Sequence, residues 1–123
     1  MFNLERRARK PSLLACLGGV LAAVAIGLSA YASHGIADPT AQSNVSTAAL
    51  YAFGHGAALA ALGAQQQNLL GRMALYALLL GVLLFSGSLV GGALLHWSTR
   101  LAPVGGTTLM VAWLVYGFNA LRR

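Results

Sequence analysis

Polar residues in this chain are few and clustered, and the stretches between them are long and apolar. No charged side chain occurs across residues 11–37, 39–71, 73–99 or 101–121, runs of 27, 33, 27 and 21 positions. A helix needs about 20 apolar residues to cross roughly 30 Å of hydrocarbon. Each run is therefore long enough for one crossing and too short for two. The pattern predicts four transmembrane helices, over Leu13–Ala32, Ser46–Ala64, Met73–Leu95 and Pro103–Leu121. Helices are expected rather than strands, because backbone groups in lipid must be satisfied within the segment and the runs lack the alternation of a barrel strand. The expected fold is all-α, an integral membrane four-helix bundle over residues 13–121, preceded by a basic segment over 1–12 and ended by a basic pair at 122–123.

The polar breaks suit this division. Asp38-Pro39-Thr40-Ala41-Gln42-Ser43-Asn44 reads as a turn, with Ser43 or Asn44 placed to cap the second helix. Gln65-Gln66-Gln67-Asn68 separates the second helix from the third, and His96-Trp97-Ser98-Thr99-Arg100 the third from the fourth. Pro103 belongs in a helix's first turn, where its missing N–H costs nothing.

Composition narrows the class. Of the 123 residues 58% are hydrophobic and 8% charged, against about 25% charged in a soluble domain. Intrinsic disorder requires the opposite balance, and the single cysteine, Cys16, excludes a disulfide-stapled module. The net charge of +6 is unevenly placed. Four crossings put both termini on the same side as the loop around Arg72. That side collects Arg6, Arg7, Arg9, Lys10, Arg72, Arg122 and Arg123, leaving Arg100 on the other. This bias predicts cytoplasmic termini, with the lipid bilayer as partner and a secondary attraction to anionic headgroups. Nucleic-acid binding is not expected, since the cations are divided between membrane edges. Tyr31, Tyr51 and Trp97 are expected at one interface and Tyr76 and Tyr116 at the other. The basic leader, apolar run and Ala30-Tyr31-Ala32 also resemble a cleavable secretory signal, but the run exceeds the usual apolar core of such signals, which favours a retained helix.

Helix association in lipid depends on close packing across small residues. The first helix carries Ala15, Gly19, Ala23 and Gly27 at four-residue spacing, and the third carries Gly87 and Gly91, so these are the expected packing positions. In the second, 13 of the 19 residues from Ser46 to Ala64 are Gly, Ala, Ser or Thr, which places it at the centre of the bundle.

Chemistry-bearing residues are sparse. No Asp, Glu, Lys or Arg lies within the four expected spans, which argues against a proton-coupled transporter relying on an intramembrane carboxylate. His55 is the titratable group well inside a span, expected neutral and in need of one acceptor and one donor. Tyr51 lies one turn earlier on the same face. His34, Asp38 and His96 lie toward one membrane side, and His34 with His96 is the pair at similar depth, able to hold a haem or metal only if the first and third helices face each other. The usual ligand spacing is absent, however, and neither a metal nor a cofactor is assigned. Ser86 and Ser88 are expected to hydrogen-bond across helices. No activated nucleophile or acid–base pair appears, so an enzyme is not expected.

Taken together, Ala32-Ser33-His34-Gly35-Ile36, Tyr51-Ala52-Phe53-Gly54-His55-Gly56-Ala57-Ala58-Leu59, Leu84-Phe85-Ser86-Gly87-Ser88-Leu89 and Pro103-Val104-Gly105-Gly106 resemble the DUF423 family. The resemblance covers about residues 13–121. It implies a small, multi-spanning bacterial inner-membrane protein, and singles out His34, His55, the Phe85–Ser88 segment and the Pro103–Gly106 segment. It implies no substrate, cofactor or mechanism. Three roles remain open. The first is a scaffold, assembly factor or accessory subunit that contacts a membrane-protein partner or a second copy through its helices. The second is a small oligomeric transporter or channel with a polar path near His55, Tyr51, Ser86 and Ser88. The third is a histidine-ligated haem or metal protein.

Overall fold

The computed structural model describes residues 11–122 and contains four helices. They are α1 (Leu13–Gly35), α2 (Pro39–Leu62), α3 (Leu69–Leu95) and α4 (Leu101–Leu121), and each is long and apolar enough to cross a membrane. Most of the basic segment expected over 1–12, and Arg123, lie outside the described residues.

α1 starts at Leu13, as the polarity pattern predicts, whereas α2, α3 and α4 start two to seven residues earlier than it predicts. α2 begins at Pro39 rather than Ser46, because the Asp38 carboxylate accepts the Ala41 N–H at 2.9 Å and Pro39 occupies the first helical position. Neither Ser43 nor Asn44 caps it; the polar stretch that reads as a turn forms the first two helical turns. Likewise the Asn68 side chain accepts the Leu70 N–H at 2.8 Å and starts α3 at Leu69, ahead of Arg72. The Ser12 hydroxyl caps α1 at its expected start, accepting from the Ala15 N–H at 3.1 Å.

Contacts run in chain order, α1 on α2, α2 on α3 and α3 on α4, with a slight touch between α1 and α3. No Cα of α1 or α2 comes within 8 Å of one in α4. Two hairpins thus meet through α2 and α3, which are the central helices. One end of the molecule, the basal end, holds the start of α1, the α2–α3 connection and the end of α4. The distal end holds the other two connections. The core is built from Leu14, Leu59, Leu75, Leu78, Val82 and Leu109, whereas Val20, Val24, Leu80, Leu83, Val111 and Leu114 point outward. So extensive an apolar exterior suits lipid and not water.

A glycine crossing brings each hairpin together. A Cβ on Gly56 would lie 2.7 Å from the Gly18 carbonyl and 2.8 Å from the Ala22 nitrogen. On Gly105 it would strike the backbone of Gly81 and Phe85. These backbones approach closely because no side chain intervenes.

The expected packing positions are corrected here. On α1 the buried residues are Leu14, Gly18, Ala25 and Ala32, while Gly19 and Gly27 face open space and Ala23 is exposed. Of the expected row, Ala15 lies beside Gly63, the residue that follows α2. Four-residue spacing rotates about 40° per step around a helix of 3.6 residues per turn, whereas the seven-residue steps from Gly18 to Ala25 to Ala32 drift only about 20°. On α3, Gly87 is also open, and Gly91 is covered by the ring of Trp97 from the following connection rather than by a helix.

Candidate functional site

The polar groups of α2 and α4 meet on the side of the bundle where the two helices flank α3. His55 lies 16 residues after the start of α2, about 24 Å along the axis from the distal end. It is therefore nearer the basal end, deeper than a helix starting at Ser46 would place it. Its Nδ1 sits 2.8 Å from the Tyr51 carbonyl one turn earlier. Its Nε2 receives the indole N–H of Trp113, from α4, at 3.0 Å.

These two partners fix the protonation of the ring. A carbonyl only accepts and an indole N–H only donates. Nδ1 must carry the proton and Nε2 must carry the lone pair, so the imidazole is neutral and both nitrogens are satisfied. The bond to Trp113 joins α2 to α4, whose backbones do not otherwise approach.

Aromatic rings extend the site. Tyr51 lies 4.8 Å from Phe85 of α3 in a tilted pair, and Trp113 meets Tyr116 edge-on at 6.0 Å. The His55 and Trp113 rings are 5.8 Å apart. Tyr51, His55, Phe85 and Trp113, together with Pro103, Gly106 and Met110 of α4, line a groove of about 670 Å³. One turn toward the distal end, the buried Ser86 hydroxyl donates to the Ala48 carbonyl at 2.8 Å and ties α3 to α2. The hydroxyl of Ser88, also buried, has no hydrogen-bond partner among the described residues, so of the two serines only Ser86 bonds across helices.

The distal histidines take separate places. His34 is exposed in the last turn of α1 and lines a different groove, between α1 and α2, of about 680 Å³ with Ser29, Ser33, Ser46 and Phe53. Asp38 is the cap of α2. His96 ends α3 in the left-handed conformation, with φ of 57°. Among the described residues no three His, Cys, Asp or Glu side chains gather into a metal-binding group.

Sequence reasoning missed two connecting side chains. Trp113 reads as one more apolar residue in a long run; the signal was that an indole N–H in mid-span needs an acceptor, and His55 is the neutral acceptor at comparable depth. Gln42, within the polar stretch that predicts a turn, is helical and donates to the Ala32 carbonyl at 2.9 Å, with the Ile36 carbonyl at 3.5 Å. It thereby satisfies a carbonyl in the last turn of α1 that has no helical partner.

Comparison with known proteins finds a family model, described as "Protein of unknown function (DUF423)", matching residues 28–106. That range takes in His34, Asp38, Tyr51, His55, Ser86, Ser88 and both glycine-crossing residues of the α3–α4 hairpin, but stops before Trp113. A UPF0382 membrane protein of Haemophilus influenzae is 31% identical over 107 residues, covering 79% of this chain and 84% of that protein. No solved structure matches.

Proposed function

The chain belongs to the DUF423 family of multi-pass membrane proteins, and from that premise we propose that it is a non-enzymatic scaffold or accessory subunit of the bacterial inner membrane, acting through helix–helix contacts. Its termini face the cytoplasm in this reading, which rests on the seven-to-one distribution of cations deduced above.

The observation that carries the proposal is the row Gly19, Ala23 and Gly27 on α1. The chain spends its own close approaches on Gly18 with Gly56 and on Gly81 with Gly105, and leaves this second small-residue row uncovered. A helix from a second copy or from a partner protein would find there the shallow surface that membrane helices pack against. Cys16 is exposed one turn toward the basal end of the same face, and provides a native reporter of it.

A transport path past His55 has less support. Both its ring nitrogens and the Ser86 hydroxyl are committed to hydrogen bonds within the bundle. Blue-native migration in mild detergent, with oxidative crosslinking at Cys16 in native membranes, tests the proposal. The wild-type chain is expected in a complex larger than its monomer, and Gly19→Leu with Gly27→Leu is expected to release it. A monomer throughout would reject the reading.

A further inference from the structure

The basal end contains a pocket of a different character from the two lateral grooves. It measures about 380 Å³ and lies between the start of α1, the α2–α3 connection and the first two turns of α3. Ser12, Gln66, Gln67, Arg72 and Tyr76 line it, and none of its lining residues is acidic. Among the described residues the one carboxylate, Asp38, belongs to the distal end.

One of its donors, Gln66, is seated by the fold, and none of the donors is used up. Gln66 lies against Gly71, where a Cβ would collide with its side-chain amide, so the absence of a side chain on α3 creates the seat for that amide. The side chains of Gln66, Gln67, Arg72 and Tyr76 make no hydrogen bond to other described residues. Tyr76 lies one turn deeper than Arg72, so the pocket grades from a guanidinium at the rim to an aromatic wall within the span. In sequence, Arg6, Arg7, Arg9 and Lys10 directly precede Pro11, which itself borders the pocket.

A guanidinium matches phosphate oxygens in a bidentate fork, amides and a phenol add neutral donors, and the aromatic and apolar depth suits the start of an acyl chain. We infer that this pocket seats the phosphodiester headgroup of an anionic phospholipid. The preceding basic residues raise the local concentration of such lipids without selecting among them, whereas the pocket provides the selection. The inference does not depend on the scaffold reading, because it concerns a different end of the molecule and a different ligand.

The test uses the full chain, purified in a neutral detergent, and reads lipid retention by native mass spectrometry and thermal stability on lipid addition. The probes are phosphatidylglycerol, phosphatidylcholine and soluble glycerol 3-phosphate. Phosphatidylglycerol is expected to be retained and to stabilise, with neither of the other two doing so. Arg72→Gln is expected to weaken its retention about fivefold, the weight of one cation near an anionic surface. Arg100→Gln, at the distal end, is expected to leave it unchanged. Equal retention of phosphatidylcholine, or equal stabilisation by glycerol 3-phosphate, would overturn the assignment. So would an Arg72→Gln protein indistinguishable from wild type while a chain with Arg6, Arg7, Arg9 and Lys10 all changed to Gln loses retention, which would move the selectivity to the leader.

Discussion

Replacing Trp113 by Phe removes one hydrogen and one ring while keeping an aromatic side chain in the same place. The bond lost is the 3.0 Å contact to His55 Nε2, the direct tie between α2 and α4. Hydrogen bonds between membrane helices average about 0.6 kcal/mol and reach about 1.7 kcal/mol. Among the described residues His55 has no other donor on that nitrogen and α4 has no backbone contact with α2, so the loss should fall in the middle of that range, about 1 kcal/mol. His55→Phe should cost a similar amount, since it leaves the Trp113 N–H without an acceptor. Because both changes break the same bond, the double variant should cost only slightly more than either single one. Reversible unfolding of the full chain in mixed micelles, followed by circular dichroism, measures all four corners of that cycle. Nitrogen-15 imidazole spectra add an independent readout, with the proton expected on Nδ1. Additive effects without coupling, or a proton found on Nε2, would refute the arrangement.

Other outcomes follow from the same geometry. Gly56→Leu should destabilise by at least about 2 kcal/mol, because the new side chain meets the backbone of α1 at Gly18 and Ala22, while Gly19→Leu should change the monomer's stability by less than about 0.5 kcal/mol; the same micelle titration separates them. Gln42→Leu should cost about 1 kcal/mol by stripping the Ala32 carbonyl of its donor, and should speed amide exchange in the last turn of α1. His96→Gly should stabilise by about 0.5 kcal/mol, since relief of left-handed strain outweighs the added freedom of the unfolded chain; a lower midpoint would contradict it.

How far the sequence disclosed this arrangement depends on the kind of signal. The number and rough position of the helices were legible because a charge in hydrocarbon is costly, so Asp38, Arg72 and Arg100 punctuate the chain. The start of α1 at Leu13 was legible too, but those of the other three helices were not, because polarity reads as loop. Asp38 caps a helix whose first turns are polar, and Asn68 caps one whose first turn already contains Arg72. The small-residue row on α1 was visible, but a four-residue period does not say which of two neighbouring rows faces inward. Gly18 and Gly19 are adjacent in sequence, and only the partner surface around Gly56 distinguishes them. His55 was recognised as the intramembrane group needing partners, and Tyr51 as its neighbour, although the tie is to the Tyr51 carbonyl and not its phenol. Trp113 escaped notice because its pairing joins residues 58 positions apart, and no local pattern encodes that.

Membrane-side accessibility of single cysteines, placed in a Cys16→Ser background at Thr40, Gln67 and Ser98, tests the architecture most directly. An impermeant thiol reagent applied to intact cells should label the cysteines at 40 and 98, and label the one at 67 only after the membrane is opened. Labelling of all three from one side, or of 40 and 98 from opposite sides, would contradict four crossings with the basal end turned inward.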